Sequence, residues 1–260
     1  MLRSQYEALS RDKKILFMHI PKTAGISFTQ ILKKSFPDKR FFPSHGPARL
    51  LQDFHSNERQ YDIFSGHFFY DIAKNFSEKP ITLTFLRSPS ARVISHYYFY
   101  KSYPDELISD LPNYDREIVE LTRAFGLKDF LNMGDIRIEN AFSNLQTRML
   151  ANNTGFSVPT EASKLTQLSD LSIQNLRNTD FIGIVEHFDD SIKLFNKMFS
   201  VDAKIKQEPL NVNRKKPTKM GSQSECFGEN SIAMHRIRCD QRLYEEGIRL
   251  FNANLQRYGL

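Results

Sequence analysis

The sequence predicts an α/β fold, with a central, mostly parallel sheet flanked by helices. Short apolar runs recur along the 260 residues, and helical patterns separate them. Buried parallel strands read as continuous apolar stretches, and helices cover both faces of such a sheet. The chain is also long enough to bury most of its apolar surface without disulfides or structural metals.

Ile15 to Ile20 is the first predicted strand, and Ile26 to Phe36 is the helix that follows it. Tyr61 to Gly66 is a short second strand. Ile81 to Leu86 is β-branched and apolar between Lys79-Pro80 and Arg87-Ser88-Pro89, which marks a third. The region from Pro104 to Met149 reads as helical throughout. A Leu/Ile-patterned helix from Ser163 to Asn178 leads into a fourth strand, Phe181 to Val185. Asn230 to Tyr258 predicts one long C-terminal helix. The most loop-like segment is Lys206 to Glu225, with the basic cluster Arg214-Lys215-Lys216. No internal repeat, low-complexity tract or interdomain linker stands out, so residues 1–260 are read as a single domain.

The formal net charge is +6, which favours an anionic ligand or partner. Charge alone leaves nucleic acid, polyanionic glycan, a phosphorylated cofactor and an anionic membrane open. No run of about 18 apolar residues occurs, so no integral membrane segment is expected. The N-terminus lacks the apolar core of a secretory signal, so a cytoplasmic location is expected. Cys226 and Cys239 are the only cysteines and belong to no CxxC pair. Two reduced thiols are the expectation, and one disulfide is the alternative. Oligomeric state is left open.

Two junctions carry the chemistry. In the first, the apolar run Ile15 to Ile20 stops at Pro21, and Lys22-Thr23-Ala24-Gly25-Ile26-Ser27-Phe28 opens a helix. The first N–H groups of a helix lack internal partners and lie at the positive end of its dipole, so they suit a phosphate-like anion. Lys22 adds a charge, and Thr23 and Ser27 add hydroxyls. The second junction, Phe85-Leu86-Arg87-Ser88-Pro89-Ser90-Ala91-Arg92-Val93-Ile94-Ser95-His96-Tyr97-Tyr98, repeats the design. Arg87 offers a planar fork suited to phosphate. Ser95 lies about two helical turns further on, within reach of the same anion if the strand end folds beside the helix. Read alone, Arg87 and Arg92 fit better as exposed residues at a helix start and Ser95 as a plain helix residue, and the upstream anion motif turns that balance.

Together these two segments resemble the cofactor motifs of sulfotransferases, in particular the branch of the heparan sulfate O-sulfotransferases and their bacterial relatives. Ser65-Gly66-His67-Phe68, Asn144-Leu145-Gln146-Thr147-Arg148 and Gly183-Ile184-Val185-Glu186-His187-Phe188 resemble further family segments, in the family's order. The resemblance implies a P-loop-like three-layer fold and the sulfuryl donor 3′-phosphoadenosine 5′-phosphosulfate (PAPS). It implies that the segment from Lys22 to Phe28 binds the 5′-phosphosulfate, and that Arg87 and Ser95 hold the 3′-phosphate. Arg148 is a further candidate for cofactor or acceptor. So is Arg214, in a late basic loop where sulfotransferases often close over the cofactor. The sequence departs from the pattern at Ile26, where Thr or Ser is frequent, and at Ser88, where an acidic residue or Asn is common.

Sulfuryl transfer needs the acceptor oxygen, the sulfur and the leaving oxygen in line, with charge growing on the leaving phosphate. Lys22 is placed to neutralise that charge. No bridging metal is required, and no metal-ligand spacing such as HExxH occurs. The acceptor hydroxyl needs a general base, for which histidine is the usual choice near neutral pH. Of the seven histidines, His67 is the expected base. It lies just past a strand end, where α/β sheets bind ligands, and it matches the family segment. His45 is a distant second. His19, His96 and His187 are expected to pack or support the fold.

A hydroxyl acceptor follows, whether a glycan, a lipid or a small metabolite, and the basic charge suits an anionic glycan. Nucleic acid is not expected as a partner. Two other function classes fit the sequence less well. A P-loop kinase would need GxxxxGK[ST], which is absent. A non-catalytic polyanion binder explains the charge but not two ordered anion motifs.

Overall fold

The computed structural model describes residues 13–43, 47–151, 162–203 and 226–260. Four strands, β1 (Ile15–Met18), β2 (Ile63–Gly66), β3 (Ile81–Leu86) and β4 (Phe181–Ile184), form one sheet in the order β2-β1-β3-β4. Every neighbouring pair is parallel, with Met18 opposite Gly66 on one side and Thr84 on the other. All four strands are buried along their whole length, as their unbroken apolar runs require.

The helices are α1 (Gly25–Ser35), α2 (Pro47–Gln52), α3 (Phe54–Gln60), α4 (Pro89–Lys101), α5 (Asn113–Ala124), α6 (Leu127–Asn132), α7 (Ile136–Phe142), α8 (Leu145–Ala151), α9 (Ala162–Arg177), α10 (Phe188–Phe199), α11 (Ile232–His235) and α12 (Arg238–Tyr258). Among the described residues no helix is long and apolar enough to cross a membrane.

Two hydrophobic clusters hold these layers. The larger lies against the sheet, where Phe28 of α1 packs on Phe85, Phe181 and Phe195 with ring centroids 4.7, 5.7 and 5.1 Å away. The smaller fills the space between α4, α5, α6, α7 and α11, with Tyr97, Ile118, Phe130, Phe142 and Ile237 at its centre. β1 is followed in space by β2 on one side and β3 on the other. The winding direction therefore reverses beside β1, and the carboxyl ends of β1 and β3 flank the crevice where sheets of this kind bind ligands.

Three expectations are corrected. β1 ends at Met18 rather than Ile20, because the Ile20 carbonyl already accepts from Thr23 in the turn. The region 104–149 is not continuously helical. A 3₁₀ turn covers Asp105–Asp110, and the helices after it break at extended Gly126 and at Asn144, whose φ is 44°. The long C-terminal helix divides at Arg236 and Ile237. The fully buried Arg236 side chain donates to the Glu139 carboxylate and to the carbonyls of Leu131 and Met133, which anchors the break.

Candidate functional site

The loop between β1 and α1 is shaped by its own backbone. Lys22 and Ala24 take left-handed φ angles of 70° and 61°, between which Thr23 is fully buried. The Thr23 N–H and hydroxyl both donate to the Ile20 carbonyl, at 3.3 and 2.8 Å. The hydroxyl thus closes the turn and is not presented to a ligand. No side chain caps α1, and its first turn holds no acidic residue, so the positive end of the helix is left for an anion. Gly25 is needed for space, since a Cβ there would lie 1.7 Å from Cδ2 of His19. Phe28 sends its ring into the core, and its N–H bonds the Ala24 carbonyl at 3.0 Å. That leaves the backbone from Ala24 to Ser27 as the cradle. Ile26 is 52% exposed, an apolar residue at the mouth of the loop.

The loop between β3 and α4 brings Arg87 against the first loop, where its Nη1 donates to the Lys22 carbonyl at 3.1 Å. Its Nε is buried with no protein partner. Burial lowers the Arg87 pKa, and the charge of Glu186 opposes the shift. Ser88 N–H donates to Oε1 of Glu186 at 3.0 Å, and the Tyr244 hydroxyl donates to Oε2 of the same carboxylate at 3.0 Å. Further along α4, Ser95 and His96 are buried, and Phe99 is exposed. The Lys22 Nζ lies 4.4 Å from the centre of the Phe99 ring, a cation–π contact joining the first loop to this helix. Burial, with Arg92, Lys22 and His67 adding positive charge, holds His96 well below the ordinary histidine pKa.

His67 follows directly on the last residue of β2. Its Nδ1 is 2.7 Å from the His19 carbonyl oxygen, and the two imidazole centres are 4.6 Å apart. A carbonyl oxygen only accepts, so Nδ1 carries the hydrogen and the basic lone pair belongs to Nε2. The ends of β1, β2 and β3 therefore bring Lys22, His67 and Arg87 to one edge of the sheet, cross-linked by main-chain carbonyls.

A model described as the sulfotransferase family matches residues 8–258. The chain belongs to the sulfotransferase family. It is similar to heparan sulfate 2-O-sulfotransferase 1 of Cricetulus griseus, with 33% identity over 104 residues, 34% of this chain and 29% of that protein. The Gallus gallus protein of the same name is 34% identical over 104 residues with the same shares. The Xenopus laevis protein is 33% identical over 110 residues, 35% of this chain and 31% of its own length. The chain thus matches under a third of the length of these relatives. The four-stranded parallel sheet flanked by helices is consistent with a sulfotransferase fold.

Within this sulfotransferase-family chain, one candidate moves to a different place. Arg148 is fully buried, with Nε on the Ser143 carbonyl at 2.8 Å and Nη2 on the Asn140 carbonyl at 2.7 Å. These bonds fasten α7 to α8. Arg214, the rest of the 206–225 loop and His45 lie outside the described residues. Cys226 and Cys239 form no disulfide with each other. Among the described residues no group of three or more His, Cys, Asp or Glu is placed to hold a metal.

Sequence reasoning missed Gln146, Glu186, Tyr244 and Asp240, all of which touch the backbone or partners of the second loop. Gln146 and Glu186 stood inside segments already singled out. Charge drew attention to Arg148 instead, although a polar residue among apolar helical neighbours was the available signal.

Proposed function

We propose that this chain transfers the sulfuryl group of PAPS to a hydroxyl acceptor, with His67 as general base and Lys22 neutralising the leaving phosphate. The observation that carries this reading is the pair of cross-links, His67 Nδ1 to the His19 carbonyl at 2.7 Å and Arg87 Nη1 to the Lys22 carbonyl at 3.1 Å. They fix a base, a lysine loop and an arginine with respect to one another. The uncapped, acid-free start of α1 and the buried, unpartnered Nε of Arg87 fit the two anionic ends of such a nucleotide.

In this reading the amides from Ala24 to Ser27 hold the 5′-phosphate, and Arg87 with Ser95 holds the 3′-phosphate. His67 Nε2 removes the acceptor proton as the acceptor oxygen bonds to sulfur and the bond from sulfur to the 5′-phosphate oxygen breaks. Lys22 offsets the charge that gathers on that oxygen, and 3′-phosphoadenosine 5′-phosphate (PAP) leaves. Transfer of this kind rests on positioning and electrostatic stabilisation, with no metal required. Arg148 supports the site from beneath, and Arg214 remains a proposed cofactor contact. The names of the matching relatives support an anionic glycan as acceptor, and the net charge of +6 agrees. A single sheet, with α4 and α12 tied across both hydrophobic clusters, supports one domain over residues 1–260.

Thermal-shift titration with PAP and with ATP plus magnesium tests the donor. Stabilisation by PAP alone is expected, and stabilisation by ATP with magnesium but not by PAP would overturn the reading in favour of a kinase. Sulfate transfer from radiolabelled PAPS to panels of glycans, lipids and phenols then reads out the acceptor.

A further inference from the structure

We infer that Gln146 is a positioning residue through which the site selects a nucleotide bearing a 3′-phosphate. The inference rests on the PAPS reading above. Gln146 is fully buried at the start of α8. Its Oε1 accepts the Arg87 N–H at 2.9 Å, and its Nε2 donates to the Arg87 carbonyl at 2.9 Å. This two-bond clamp takes the place of a neighbouring strand at the residue where β3 has just ended. Arg87 therefore leaves the sheet with a fixed main chain.

The clamp is itself anchored. Asp240 of α12, also fully buried, accepts the N–H of Gln146 at 3.3 Å and that of Thr147 at 2.8 Å. In return, Oδ1 of Asn144 accepts the N–H groups of Cys239 and Asp240 at 2.9 and 3.3 Å. Arg92 of α4 lies 3.9 Å from Asp240 and donates to the Phe142 carbonyl at 2.7 Å. A continuous polar line thus runs from the C-terminal helix through Gln146 to Arg87, and from Arg87 Nη1 to the Lys22 loop.

A guanidinium reads phosphate through the direction of its planar fork, and an arginine side chain has several rotatable bonds in which to lose that direction. Fixing both main-chain groups of Arg87 sets the point from which those bonds start, and the Nη1 bond to the Lys22 carbonyl restrains the far end. Gln146 touches no ligand in this arrangement, and its effect passes entirely through Arg87. Adenosine 5′-monophosphate (AMP), which lacks the 3′-phosphate, does not draw on Arg87 and should not sense the clamp.

Calorimetric titration with PAP and AMP tests this on the folded chain, using Gln146→Leu, the more conservative Gln146→Glu, Arg87→Ala and the Arg87→Ala/Gln146→Leu double variant. The wild-type chain is expected to prefer PAP strongly. Gln146→Leu should weaken PAP about tenfold and leave AMP within about twofold. Gln146→Glu keeps the acceptor for the Arg87 N–H but sets a carboxylate oxygen against its carbonyl, so the ratio of PAP to AMP affinity should fall here too. In the Arg87→Ala background, Gln146→Leu should add less than about twofold. Equal weakening of PAP and AMP in both Gln146 variants, or full additivity in the double variant, would overturn the inference and reduce Gln146 to a structural role. A wild-type chain that binds AMP as well as PAP would instead overturn the PAPS reading, and this inference with it.

Discussion

The loop after β1 closes its turn with its own atoms and meets remote side chains at Lys22, whereas the loop after β3 is held by side chains from distant parts of the chain. In the first, two left-handed residues and a hydroxyl that bonds back three positions make the turn within Ile20 to Gly25. In the second, Gln146 lies 59 positions from Arg87, and Glu186 lies 98 positions from Ser88. A loop closed by local bonds forms wherever its sequence occurs. A loop closed by remote side chains exists only once the whole sheet and its helices have assembled. The first loop should thus tolerate changes elsewhere and fail to changes within itself, and the second should show the reverse.

The sharpest way to break that comparison is at Lys22. Lys22→Ala removes the cation proposed to face the leaving oxygen, along with its contact to the Phe99 ring, and leaves the Thr23 bonds that close the turn in place. Turnover should fall about a thousandfold, with the melting temperature little changed. A variant that keeps more than a tenth of wild-type turnover would remove Lys22 from the chemistry. His67→Ala follows, with a loss of about a hundredfold in kcat and PAP affinity close to wild type. The split between kcat and binding is the diagnostic, because a histidine that only packed would lower both or neither.

Gly25→Ala probes the first loop from inside. A methyl group there would overlap the His19 ring, so the ring must move away from its place 4.6 Å from the His67 imidazole. The expected loss is about 1–3 kcal/mol of stability, the usual cost of overpacking, seen in chemical denaturation. Adding His19→Ala should recover most of that stability but not the activity, since the loop regains space while the imidazole pair is lost. A Gly25→Ala variant as stable and active as wild type would show that this loop is not set by its own packing.

These differences also explain what the sequence could reveal. The strand-loop-helix of Lys22 is local, so its apolar run, its proline and its glycine sit next to one another and can be read directly. β3 was legible along its full length for the same reason, since β-branched residues run between two prolines. The supports of the second loop were not legible. Nothing in the spacing of Gln146, Asp240 and Glu186 places them together, and only the packing of α8, α12 and the turn after β4 around the end of β3 does so. The burial of Arg148 was not legible either, because charge is visible in a sequence and burial is not. Its guanidinium donates to the carbonyls of Asn140 in α7 and of Ser143 just after it. Likewise the Thr23 hydroxyl looked like a ligand donor, and the fold spends it on closing the turn.

Tyr244→Phe tests the outer rim of the second loop and should have the smallest effect. The Tyr244 hydroxyl steadies Glu186, which accepts the N–H of Ser88. Burial and the neighbouring Glu186 charge raise the Tyr244 pKa, so the hydroxyl is protonated and donating at neutral pH. Yet Glu186 itself is exposed, so water can replace the lost donor at little cost. The net value of such a bond is about 1 kcal/mol or less, so PAP affinity should fall by no more than about threefold. That outcome would place the control of Arg87 in the buried line through Gln146 rather than in the exposed one through Glu186. A loss beyond tenfold would reverse the order, because it would mean that the position of Ser88, and not the clamp on Arg87, limits how the 3′-phosphate is held.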